Sequence, residues 1–139
     1  MSVLKKLHSD DAGKLLLRLM IGGLMLFHGV FKVQNGIGKL TEFVVARGLP
    51  APLSYGVFLG EVLAPIMIIL GIGTRIGGVL ITGTMIFAIY IAHMGDIGKV
   101  TATGAWGIEL QMMYFVGGLA LMFLGAGRFS VSRGKWSCD

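Results

Sequence analysis

Five ionisable side chains sit inside otherwise apolar stretches of this chain: His28, Lys32, Glu61, His93 and Glu109. Together they could handle protons. A histidine titrates near neutrality. A carboxyl can relay a proton where desolvation favours its neutral form, a role open to Glu61 or Glu109. A lysine ammonium steadies negative charge growing on a nearby oxygen, the role open to Lys32. His28 and Lys32 are four residues apart, so on a helix they share a face. Such a set could form a site that exchanges protons with a bound group. It could equally be a closed network of ion pairs. Arg18, Arg75 and Pro65 read as structural positions, the arginines as interface anchors and the proline as a kink.

Other chemistries are poorly supplied. Two histidines and two glutamates could ligate zinc or iron. Each comes from a different segment, however, without the His-x-x-x-His or Glu-x-x-His spacing of helical metal sites, so no metal is expected. There is no haem-attachment motif, no iron–sulfur cysteine set and no glycine fingerprint for a flavin or nicotinamide dinucleotide. Cys138 is the single cysteine. A redox role would therefore need electron-carrying centres on a protein partner.

The elements that must position these residues are membrane helices. Of 139 residues, 55% are hydrophobic and 14% charged, against about 25% charged in soluble domains. Mean hydropathy is +0.82. Four continuous apolar runs, about 15–33, 53–70, 76–92 and 106–124, approach the roughly 20 residues that cross a bilayer. Continuous runs indicate helices rather than alternating strands. The expected fold is all-α, an integral membrane four-helix bundle forming one domain over 1–139. The formal charge of +5 forms no stripe with interleaved aromatics, which argues against nucleic acid. "TEFVVARG" between the first two runs suggests a short interfacial helix, followed by a rigid "GLPAP". The first run is expected to stay as an uncleaved helix, since Arg18 interrupts its apolar core and no small-residue cleavage site follows.

Threading four helices puts Lys5, Lys6, Lys14, Arg18, Arg75, Arg128, Arg133 and Lys135 on one side. Lys39, Arg47 and Lys99 fall on the other, with Lys32 at its border. The bias predicts both termini in the cytoplasm and residence in the inner membrane. At 1.5 Å per residue, Lys32 lies roughly 3 Å, His28 roughly 9 Å, Glu61 roughly 12 Å and Glu109 roughly 6 Å inside the outer ends of their segments. His93 closes its own segment there, so all five fall in the outer half of the bilayer. Arg18, near the inner end, is expected to snorkel or to pair there. Pro65 should free the carbonyl of Glu61 from its helical partner. Small residues, among them Gly56, Gly60 and Ala64, offer close packing within the bundle or a homo-oligomer seam.

The ordered set "RL…G…FHG…K", "GLPAP", a helix with "GE", "GIGTR", a helix ending "AH", "G…EL" and "GAGRFSVS" resembles the DoxX family over about residues 18–132. The resemblance implies a small four-helix membrane protein in a redox setting, related to a subunit of a thiosulfate:quinone oxidoreductase. The family positions matched are Arg18, His28, Lys32, Glu61, Arg75, His93 and Glu109. Three function classes follow. The first is a quinone-linked oxidoreductase subunit, with a quinone headgroup held by His28, Lys32, Glu61 and Glu109. The second is a structural or assembly subunit, for which the cluster would be packed and dry. The third is a small carrier, which an apolar inner half disfavours.

Overall fold

The computed structural model describes residues 9–139; Lys5 and Lys6, counted above in the charge bias, lie outside the described residues. Helix α1 spans Asp10–Asn35. Ser9 caps it by accepting from the Ala12 N–H, and Asp10 and Asp11 place negative charge in its first turn, where the helix dipole favours it. Helix α2, Gly38–Ala46, is the short helix expected near "TEFVVARG". Helix α3 runs Ala51–Leu70, α4 runs Thr74–Asp96 and α5 runs Glu109–Leu124.

Helices α1, α3 and α4 are long and apolar enough to cross a membrane. Helix α5 has 16 residues, a rise of about 24 Å against a hydrocarbon core of about 30 Å. The four pack as an all-α antiparallel bundle, with α2 lying against the start of α3 and the end of α4. Ile21, Met25, Ala64, Ile68, Ile81, Met85, Tyr114 and Leu121 form the core between them. Apolar side chains also cover the outside, with Phe27 76% and Phe123 72% exposed. In water such a surface would drive association, whereas lipid solvates it.

The two ends of the bundle differ. At one end, here the tail end, α3 turns into α4 through Gly71 and Gly73. Both adopt left-handed backbone, at φ 69° and 61°, which glycine reaches without a Cβ penalty. The segment after α5 folds back to this same end, where the Arg128 N–H donates to Asp11 Oδ1 at the start of α1 (2.9 Å). At the other end, the loop end, lie α2 and the connection from α4 to α5.

Most of the small residues serve contacts inside the chain. A Cβ on Gly22 would meet Ile69, one on Gly60 would meet Thr84, one on Gly78 would meet the backbone of α5, and one on Gly117 would meet Ile21. Gly60 is therefore used within the bundle, while the space beside Gly56 is open.

Candidate functional site

The polar side chains meet because of how helices aim them. Each Cα–Cβ bond tilts toward its helix's N-terminus. Helices α1 and α4 run toward the loop end, so Lys32, His28 and His93 lean inward from it. Helices α3 and α5 run the opposite way, so Glu61, Gln111 and Tyr114 lean outward toward the same level. The roughly 9 Å difference in depth between Lys32 and Glu61 is thereby closed. Lys32 Nζ donates to both Glu61 carboxylate oxygens at 2.5 Å. Lysine turns inward to this acid instead of outward to the interface, which its sequence position also allowed.

Beside the ion pair lies a cavity of about 260 Å³, lined by Met25, His28, Lys32, Glu61, Met85, Ala88, His93, Leu110, Gln111 and Tyr114. Glu61 is buried, while His28 and Leu110 are exposed and mark where the cavity opens between α1 and α5. His28 stands edge-on to Tyr114, with ring centroids 5.9 Å apart and planes at 89°. The His93 Nδ1 lies 3.1 Å from Asp96 Oδ2, and Asp96 Oδ1 accepts from Lys99 Nζ at 2.9 Å. A hydrogen-bonded chain thus runs from exposed Lys99 through Asp96 to a histidine on the cavity wall.

Local backbone distortions set two of these residues. Glu61 lies in a wide π turn, Leu59–Leu63, just before Pro65. Proline lacks the N–H that would bond the Glu61 carbonyl. That carbonyl faces Gly29, whose missing Cβ is what lets α1 approach so closely. His93 closes a second π turn, Ile89–His93. Arg47 holds that turn by donating from Nε to the Ile91 carbonyl (3.4 Å) and covering the Tyr90 ring at 5.4 Å. Single π turns of this kind are frequent at functional sites.

Glu109 stands apart from the cavity. Residues 106–108 belong to the preceding turn, tied by a bridge between Val100 and Trp106 and by Trp106 Nε1 donating to the Ile97 carbonyl. Helix α5 therefore begins three residues later than its apolar run. Glu109 falls in the first turn, accepts from the Trp106 N–H (3.2 Å) and lines a separate apolar groove with Leu17, Met20 and Met113. A carboxylate there suits the helix dipole and lies on the side of α5 with Met112, Met113 and Val116, away from the Lys32 cavity that Gln111 and Tyr114 line.

Arg18 and Arg75 sit at the tail end. Arg18 does not snorkel: it is 1% exposed. Its guanidinium donates to the carbonyls of Ile68, Ile69, Ala126 and Phe129, all at 2.7–2.8 Å. The carbonyls closing α3 carry negative partial charge, so they compensate the buried cation. Arg75 donates to the Asp139 backbone oxygen and to the Met122 and Phe123 carbonyls.

Three residues of the site were not singled out in the sequence. Gln111 and Tyr114 escaped a search limited to ionisable groups in apolar runs. Their i,i+3 spacing in such a run was the available signal. Asp96, three residues after His93, carried the same signal. Among the described residues, no three His, Cys, Asp or Glu side chains converge as metal ligands would.

Comparison with known proteins agrees with this architecture. The chain is 36% identical over 81 residues to a protein named "Putative oxidoreductase CatD" from Bacillus subtilis, covering 58% of this chain and 60% of that protein. It is 30% identical over 111 residues to an uncharacterised protein of Haemophilus influenzae, covering 80% of this chain and 81% of the relative. No solved structure matches significantly. The DoxX family model matches residues 13–94, which include most of α1, all of α3 and the two π turns carrying Glu61 and His93. With more than half its length matched, and the four-helix membrane bundle in place, this chain belongs to the DoxX family.

Proposed function

We propose that this protein is the membrane subunit of a quinone-linked oxidoreductase and that its cavity receives the quinone headgroup. The observation that carries the reading is space beside charge. A purely structural ion-pair network would be packed and dry, whereas the Lys32–Glu61 pair borders a cavity of about 260 Å³ that opens beside exposed His28. The donor set also fits a ring with two carbonyl oxygens. Lys32, Gln111 and Tyr114 can donate hydrogen bonds, His28 and His93 can donate or accept, and Met25, Met85 and Leu110 supply apolar walls. The name of the Bacillus relative points to the same broad class.

When bound, a quinone would supply the two-electron chemistry. The chain's own residues would hold it and manage protons. Lys32 would orient one ring oxygen and offset charge there, being held in place by Glu61. His93, tethered through Nδ1 to Asp96, would present its other nitrogen for proton exchange, with Asp96 and Lys99 leading to water. Tyr114 would position His28 at the mouth. Electrons would come from a partner protein carrying redox centres. The basic residues of the tail end support a cytoplasmic tail end and residence in the inner membrane.

The test uses the full chain reconstituted in liposomes with a photoreactive ubiquinone analogue. Labelling should map to the cavity walls and be displaced by unlabelled ubiquinone. Glu61→Gln and His28→Ala should abolish labelling, and quinone-dependent turnover of the host complex, while leaving insertion intact. Unchanged labelling and turnover in both variants would reject the site. A stable protein partner with no quinone labelling would assign the protein to assembly instead.

A further inference from the structure

The tail end carries a second polar feature that the proposed redox site does not use. Residues 126–134 are fixed to the bundle through their backbone and serines. The carbonyls of Ala126 and Phe129 accept from Arg18, the Val131 N–H donates to the Leu70 carbonyl, and Ser132 Oγ donates to the Gly71 carbonyl (2.8 Å). None of these bonds engages the side chains of Arg128, Arg133 or Lys135. All three are exposed, and among the described residues none forms an ion pair. With Asp11 and Phe129 they line a groove of about 530 Å³. Three cations there face one carboxylate, whose Oδ1 already accepts from the Arg128 N–H.

The backbone holds this arrangement at a cost. Arg133 has φ 57°, the single described non-glycine residue in the left-handed region, a conformation that side chains other than Asn or Asp seldom adopt. Its N–H bonds the Ser130 carbonyl (3.1 Å), and the next N–H, of Gly134, bonds Ser132 Oγ (3.2 Å). The turn is thus anchored to the bundle while Arg133 borders the groove. The groove also lies where the helices leave the apolar layer. Leu16, about 7.5 Å along α1 from Asp11, is 70% exposed, and the exposed aromatics Phe129 and Trp136 lie in the same tail. Aromatic rings beside cations are characteristic of the headgroup level of a bilayer.

We propose that this groove binds the phosphate of an anionic phospholipid headgroup, with Arg128, Arg133 and Lys135 as its cations. Arginine forks suit phosphate oxygens, and each basic residue near an anionic surface adds about fivefold to binding. A soluble phosphate would use the same chemistry, but apolar and aromatic surface beside the cations favours a ligand that brings acyl chains. The proposal does not depend on the quinone reading, nor on which compartment the tail end faces.

Native mass spectrometry of the full chain in mild detergent, with phosphatidylglycerol and phosphatidylcholine in equal amounts, tests it. Phosphatidylglycerol should be retained about tenfold more than phosphatidylcholine, and the combined variant Arg128→Gln, Arg133→Gln, Lys135→Gln should lose that preference. These side chains make no internal bonds, so an unchanged melting curve should accompany the loss. A charge-removing control at the loop end, Lys39→Gln, should keep the preference. No preference in the wild-type chain, or equal loss in both variants, would overturn the site. Displacement of the lipid by millimolar inorganic phosphate would overturn the lipid assignment in favour of a free anion.

Discussion

Replacing Lys32 by methionine keeps an apolar stem and removes the charge that answers Glu61. At the observed 2.5 Å, two unit charges attract by about 6.6 kcal/mol at an effective dielectric near 20, and by about 1.7 kcal/mol in bulk water. The Lys32 side chain is 26% exposed and that of Glu61 6%, so the pair lies between these limits. Leaving a buried charge unpaired typically costs about 3–5 kcal/mol, and Lys32→Met should fall in that range. Glu61→Gln should cost less, about 1–2 kcal/mol, because the freed ammonium can swing to the interface while a buried carboxylate cannot. The double variant should be more stable than Lys32→Met alone, with a coupling of about 2–4 kcal/mol. Reversible unfolding in mixed detergent micelles, followed by tryptophan fluorescence, gives all four values. If the double variant lost the simple sum of the two single losses, the pair would carry no electrostatic coupling. The argument for a low-dielectric site would then fail.

Two further substitutions probe what holds the bundle. Arg18→Lys should lower the thermal midpoint almost as far as Arg18→Gln, since one ammonium cannot reach carbonyls on both α3 and the tail, and each stranded carbonyl costs about 1–3 kcal/mol; rescue by lysine would show that charge alone matters there. Gly29→Ala should cost about 1–3 kcal/mol or more, because the new Cβ runs into the Glu61 carbonyl. Gly23→Ala, in open space on the same helix, should be near neutral in the same melting assay, and equal losses would refute the close-approach argument.

The helices were legible because apolar runs long enough to span a bilayer have few other solutions. Their ends were less so. The α5 run begins at Trp106, yet the helix begins at Glu109 because a bridge and an indole hydrogen bond hold the preceding turn. Glu109, grouped with His28, Lys32, Glu61 and His93 by depth alone, stands outside the cavity because it faces the other side of α5 from Gln111 and Tyr114. Depth along a helix ignores the direction in which side chains lean, and the lean brings Lys32 to Glu61. The surroundings of Arg18 were illegible for another reason. Its acceptors are backbone carbonyls 50 to 111 residues away, and a carbonyl carries no residue-type signal.

That separation has a consequence for how the chain is made. Two of the four carbonyls that satisfy Arg18 belong to residues 126 and 129, which follow the last helix. At roughly 5–20 residues per second of synthesis, about 6–22 s pass between translation of Arg18 and of its last acceptor. Through that interval the first helix carries an arginine without its full complement of protein partners. It must stay near lipid phosphates or in the insertion machinery until the tail arrives. Final burial of Arg18 is therefore a late step that registers completion of all four helices, and a truncation before residue 126 would leave the first helix with its charge incompletely satisfied, open to membrane quality-control proteolysis.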